Sequence, residues 1–234
     1  MSVLDPRPHA QQSTGIPMPP RWLAVVIAAL LGLAGLTGVF AIVAGIRLYG
    51  VIDGEAGFLT TDAQDLHGAL SLWETAGKFQ GGAYILCGAL FIQWFYRTRR
   101  ALGLLAPDRF RHAAGWAIGA WFVPIVNLWV PYRIAFDMWG GASPLPSDGQ
   151  PHRAPVWPVN LWWALFAGNA LFSRWCAARF DSADDLAELR QAAVQYMICD
   201  SLEILAAGAA ILFVLRLSAM HERKVLEGPY GPAL

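Results

Sequence analysis

The chain has 234 residues, of which 56% are hydrophobic and only 15% charged, with 11 tryptophans and a mean hydropathy of +0.41. A soluble domain carries about a quarter charged residues, so this composition points to lipid as the solvent for much of the surface. Seventeen basic residues balance 17 acidic ones, which excludes nucleic acid as a partner, because phosphate binding needs a net basic surface.

Residues 1–20 hold Pro6, Pro8, Pro17, Pro19 and Pro20 among polar neighbours and read as a disordered cytoplasmic tail. The apolar run that follows is too long for the core of a signal peptide and no small-residue cleavage site comes after it, so a retained anchor is expected. Trp22 to Ile46 is 25 residues without a charge, enough to cross a hydrocarbon layer about 30 Å thick with some tilt. Phe79 to Tyr96 is uncharged for 18 residues and ends in Trp94, Phe95 and Tyr96, then Arg97, Arg99 and Arg100, as an interfacial boundary does. Ala113 to Tyr132 is uncharged for 20 residues but contains Pro124 and Pro131, and Ala154 to Ser173 repeats that length with Trp157, Trp162 and Trp163. Gln191 to Leu215 is apolar except for Asp200 and Glu203 and is followed by Arg216, Arg223 and Lys224. The expected spans are therefore about 22–48, 78–97, 155–179 and 194–217, inside one membrane domain 21–224, with a flexible tail at 225–234.

Charges in the connections set the orientation, since basic residues of short loops are retained in the cytoplasm. Arg97 to His112 has five arginines against Asp108, whereas Arg47 to Lys78 has two basic residues against Asp53, Glu55, Asp62, Asp65 and Glu74. Arg179 to Arg190 is again acidic, with Asp181, Asp184, Asp185 and Glu188. Both termini then lie in the cytoplasm, and the proline-bearing segment at about 113–140 has both ends on that side. It is expected to dip and return, covered by the bundle because irregular backbone at membrane depth needs protein or water around it, with Asn127 serving its freed backbone groups. The fold class is all-α: a polytopic membrane helix bundle of four transmembrane helices plus a re-entrant or interfacial helix-turn-helix. The alternative is five or six spans.

No phosphate loop, dinucleotide fingerprint, nucleophile elbow, H-E-x-x-H or EF-hand string occurs. Cys87, Cys176 and Cys199 have no short spacing and read as small buried hydrophobes. His9, His67, His112, His152 and His221 are scattered and read as solvated. No metal, cofactor or catalytic residue is expected. Two polar groups stand out. Arg174, Asp200 and Glu203 lie within spans, where an ionisable residue needs a partner or water; equal depths on adjacent antiparallel helices suggest an ion pair between Arg174 and Glu203, with Asp200 on the same helix face. Asn127, Arg133 and Asp137 form the second group, the last two at the i, i+4 spacing that lets charges meet, either as an interfacial helix or as a headgroup or ligand site.

Gly77 with Gly81, and Gly115 with Gly119, keep the spacing of close helix approach and are expected to serve packing inside the bundle rather than a homo-oligomer contact. An offset of 120 residues aligns Ala63, Asp65, Leu66, Gly88 and Ala89 with Ala183, Asp185, Leu186, Gly208 and Ala209, near what chance allows, so no function rests on it.

Trp94-Phe95-Tyr96-Arg97, Gly115 to Gly119, Trp121 to Trp129, Pro131-Tyr132-Arg133, and Asp137-Met138-Trp139 together form a specific pattern, closed by Leu215 to Ser218 with Glu222 and Arg223. It resembles the actinobacterial domain of unknown function 4328 family over roughly Trp22 to Lys224. The resemblance implies a multi-span bacterial membrane protein and brings no established reaction, ligand or catalytic residue. Where family members often continue with an arginine and a small residue, this chain has Gly140 and Gly141. The expected function is that of a non-enzymatic accessory or interaction protein of the bacterial plasma membrane, contacting membrane lipids and an unidentified membrane-protein partner. The alternative is a small transporter or membrane-embedded enzyme acting on a lipid-like or cationic substrate. A cavity in which the polar residues converge separates the two.

Overall fold

The computed structural model describes residues 21–52, 63–143, 154–181 and 186–227. The proline-rich tail, the acidic residues Asp53, Glu55 and Asp62, and Asp184 with Asp185 lie outside the described residues. All described secondary structure is helical: α1 (Arg21–Ile52), α2 (Ala63–Leu105), α3 (Trp116–Gly119), α4 (Val130–Ala142), α5 (Trp157–Asp181) and α6 (Leu186–Glu227), with single 3-10 turns at Pro107–Arg109 and Val126–Leu128. Two helices are long and apolar enough to cross a membrane, α1 and the Arg190–Leu226 part of α6. α1, α2 and α6 overrun the expected spans, α5 is shifted by two residues, and α6 covers the first three residues of the expected C-terminal tail.

Small residues decide how α1 packs. Ala34, Gly38, Ala41, Ala44 and Gly45 are buried at helical spacing, which lets a second backbone come close. A Cβ on Gly38 would lie 3.2 Å from Ile204 Cγ1, and one on Gly45 would lie 2.9 Å from Met197 Cγ. These two contacts step in opposite directions along α1 and α6, so the helices are antiparallel. The ends agree: Arg21 pairs with Glu222 at 3.4 Å, and Arg190 donates to the Tyr49 hydroxyl at 2.7 Å. At Gly77, Gly81, Gly115 and Gly119, by contrast, an added Cβ meets nothing within 4 Å. The expected packing role of these four glycines is therefore corrected: the close approach is made on α1.

α2 also lies against α1, and α5 against α6. Trp73 meets Tyr196, Gln80 meets Asp200, and Trp94 meets Phe213; the numbers rise together, so α2 and α6 run parallel at matched depth. α2 and α5 flank the bundle without packing extensively on each other, and α3 and α4 wedge between them at one end.

That wedge is not a continuous rod. Gly119 ends α3, the chain turns through Pro124 and the 3-10 turn, and α4 restarts with Pro131 in its first turn, where a missing N–H leaves no gap in the helical bonds. Both ends of the segment sit at the same end of the bundle. Arg99 Nη2 donates to the His112 carbonyl at 2.8 Å, and Lys224 Nζ donates to the carbonyls of Gly141 and Ser143 at 2.7 and 3.0 Å. This basic end holds the start of α1 and the ends of α2 and α6; the opposite end holds Glu74 and Glu188 together with Lys78 and Arg190.

The main core gathers at the wedge. Trp162 stacks on Phe213 with centroids 4.5 Å apart and planes 5° apart, and Phe213 also meets Trp94 and Trp139. Trp121 contacts Phe91 and Phe95 of α2 on one side and Trp163 and Phe166 of α5 on the other. Outside the core, large apolar side chains are bare: Leu36 is 66% exposed and Ile85 78%, on helices whose outward faces match lipid better than water.

Candidate functional site

Helical periodicity brings a second set of residues to one place. Tyr84, Cys87, Gly88 and Phe91 share a face of α2; Trp162, Phe166, Asn169 and Ser173 share a face of α5; Glu203, Ala206, Ala207 and Ala210 share a face of α6. With Leu31 and Ala34 of α1 behind them and Trp121 at the basic end, they enclose a cavity of about 390 Å³. α2 and α5, which form two of its walls, hardly pack on each other. The small alanines of α6 make the room, and the tryptophans and phenylalanines make it apolar.

Polar groups converge on it. Gln80 Nε2 donates to Asp200 Oδ1 at 2.9 Å and to Glu203 Oε2 at 3.1 Å, so one amide holds two carboxylates. Glu203 is only 8% exposed; the Tyr84 hydroxyl lies beside its carboxylate, and its other oxygen, Oε1, is buried with no donor in good hydrogen-bond geometry. Asn169 Oδ1 is likewise buried and unpartnered. A smaller cavity of about 230 Å³ lies on the side of Gln80 away from the basic end, lined by Trp73, Glu74, Gly77, Tyr196 and Asp200. The Gln80 strut thus separates two chambers, with Asp200 facing one and Glu203 the other.

The expected ion pair with Arg174 is corrected. Among the described residues Arg174 makes no ion pair, and its side chain is exposed. Cys176 is buried against Cys199, sulfur to sulfur 3.0 Å, which sets Arg174 near the level of Ser201, about half a turn short of Glu203. Its rotation also differs from the expectation. Two residues turn a helix by about 200°, so with Cys176 facing α6, Arg174 points away from it. All three cysteines are buried and free.

The second expected group is only partly assembled. Arg133 and Asp137 share α4, and Asp137 also feels His112, Arg111 and Arg99, whose positive charges oppose the burial that raises its carboxyl pKa. No hydrogen bond joins Asn127 to either. Its carbonyl oxygen is buried without a partner, and the turn's own backbone does the work expected of it, with the Asn127 N–H on Val123 O at 2.8 Å and the Arg133 N–H on Trp129 O at 2.9 Å. His221, expected in solvent, is 1% exposed on α6. Arg109 reaches over Gly140, so a guanidinium from the preceding loop covers the place where an arginine of the pattern is missing from α4.

Residues 59–219 match the family described as Domain of unknown function (DUF4328). The chain belongs to that family. DUF4328 matches the chain from just before α2 to the last third of α6, and so includes the wedge and the walls that α2, α5 and α6 give the cavity; α1, which supplies the back wall, lies outside the matched region. Neither the curated proteins nor the solved structures contain a match to this DUF4328 chain.

Gln80, Tyr84 and Asn169 escaped the sequence reading because it scored runs by the absence of charge. An amide or phenol inside an uncharged run passes that test, yet in a dry interior it needs a partner almost as much as a charge does. A search for amides within the apolar runs would have found Gln80, Gln93, Asn127, Asn160, Asn169, Gln191 and Gln195, with two of the seven on the site.

Proposed function

We propose that the protein crosses a bacterial plasma membrane four times, with α1, α2, α5 and α6, both termini in the cytoplasm and α3–α4 as the re-entrant element, and that it binds a lipid-soluble organic cation in the cavity between α2, α5 and α6. One observation carries the binding: Glu203 is nine-tenths buried, its carboxylate has only the neutral Gln80 amide and Tyr84 hydroxyl beside it, and it adjoins an aromatic-lined space with no basic side chain on its walls. A purely structural accessory role calls for polar groups paired one to one in a dry bundle. Glu203 is not paired in that way. A buried carboxylate without a counter-charge is expensive, and a cationic ligand removes the expense. The sparse packing between α2 and α5 suits a molecule that partitions into the bilayer first. No catalytic role is assigned.

The topology has a direct check. Cysteines introduced at the exposed positions Glu74 and Asp108 are expected to react differently with an impermeant maleimide on intact cells, Glu74→Cys at once and Asp108→Cys only after permeabilisation. Labelling of both from outside rejects four crossings with cytoplasmic termini.

Binding is tested on the purified protein in lipid nanodiscs by titration with dodecylamine, read from the fluorescence of Trp121 and Trp162 at the cavity wall. Glu203→Gln keeps the volume and removes the charge. It is expected to weaken dodecylamine at least tenfold, a factor equal to about 1.4 kcal/mol. Equal affinity in wild type and Glu203→Gln overturns the cation site.

A further inference from the structure

Resting on the cation site above, we infer that its ligand class is the protic amine, a primary or secondary alkylammonium that donates N–H bonds, and not the quaternary ammonium that an aromatic lining would suggest. Two acceptors line the same cavity without a well-aligned donor: Glu203 Oε1, with only the neutral Tyr84 hydroxyl beside its carboxylate, and Asn169 Oδ1 are both buried and unsatisfied. Buried acceptors are rarely left unpaired. A ligand that brings N–H groups satisfies both, Glu203 by charge and hydrogen bond together and Asn169 by a hydrogen bond. A quaternary ammonium has no N–H and would leave both acceptors buried behind its methyl groups.

The aromatic rings do not form the opposing kind of site. Recognition of a quaternary ammonium needs ring faces open to the cation. Here the tryptophan and phenylalanine rings are engaged with one another: Trp162 stacks on Phe213 at 4.5 Å and lies nearly parallel to Phe166 at 6.3 Å, while Trp121 stands edge-to-face with Phe91 and with Phe166; that leaves Tyr84, one ring and not a cage. The rings serve as an apolar wall for an alkyl body. The recognition elements are the carboxylate and the amide, which project from α6 and α5, so a bound ammonium also bridges those two helices.

The test uses an alkyl series of constant chain length on wild-type protein in nanodiscs: dodecylamine, N-methyldodecylamine and dodecyltrimethylammonium, each also titrated against Glu203→Gln. The expected result is comparable binding of the two protic amines and at least tenfold weaker binding of the quaternary cation, with the difference shrinking in Asn169→Leu. If all three bind equally and all lose affinity in Glu203→Gln, the cation site stands and the protic-amine inference is overturned. If the quaternary cation binds more tightly, the inference is again overturned, in favour of an aromatic cage. If none binds wild-type protein more tightly than Glu203→Gln, the underlying cation site itself fails. Because the series is run on wild type, poor folding of Asn169→Leu leaves the decision unaffected.

Discussion

Trp162→Ala is expected to lower the stability of the purified protein by about 3–5 kcal/mol, the usual range for a buried aromatic truncated to alanine. Trp162 is 2% exposed and sits at the crossing of three elements: its ring stacks on Phe213 of α6, meets Phe91 of α2, and abuts Trp163 and Phe166 of its own helix. Close ring-to-ring contacts of this kind are held by van der Waals packing. A void at this position removes partners from several rings at once. The measurement is the midpoint of thermal unfolding in detergent, with Trp129→Ala as reference because Trp129 is 61% exposed. A loss at Trp162 no larger than at Trp129 would show that the aromatic stack does not hold the wedge to the bundle.

The second large effect is expected at Lys224. Its ammonium is buried and donates to the carbonyls of Gly141 and Ser143, the groups that the C-terminus of α4 leaves without helical partners. Lysine there ties the end of the wedge to the last turns of α6 and also complements the negative end of the α4 dipole. Lys224→Met keeps the length and apolar stem and removes the donors, leaving two acceptors unsatisfied at about 1–3 kcal/mol each. Hydrogen exchange should therefore rise across Val130–Ala142 while α1 stays protected, because the α1 contacts with α6 at Gly38 and Gly45 are far from this end. Uniform loss of protection over the whole chain would mean that Lys224 supports the bundle generally and has no special hold on α4.

Both effects concern the wedge, and the wedge closes the basic end of the cavity through Trp121. Loosening it is expected to alter the binding space before it unfolds the helices. The fold and the proposed site are linked at this point: the aromatic contacts that keep α3 and α4 between α2 and α5 also leave the gap between those helices unfilled above Trp121.

Linear features settled several matters in advance. The uncharged runs located α1, α5 and the apolar part of α6, since a helix needs length and the absence of charge to lie in lipid, and both are properties of the string. Pro124 and Pro131 marked where the segment 113–140 breaks, because proline removes a donor and fixes the backbone wherever it occurs. The arginines after Tyr96 marked an end of α2, though not its last residue; α2 runs on to Leu105, since an arginine can continue a helix while its side chain turns to the surface.

Rotation did not follow from counting. A helix that is apolar all round has no stripe to say which side faces its neighbours, and α1 and α5 are of that kind. Which residues of α5 turn toward α6 was decided by the fit of Cys176 against Cys199 and Trp162 against Phe213. That choice turned Arg174 outward and Asn169 inward, and gave Asp200 and Glu203 to Gln80 instead of to an arginine. Sequence by itself therefore determined which segments are helical, where they break and that they are built for an apolar surrounding. Only the packed structure decided which polar groups share a chamber, because that depends on the azimuth of each helix, and azimuth is set by the side chains of other helices.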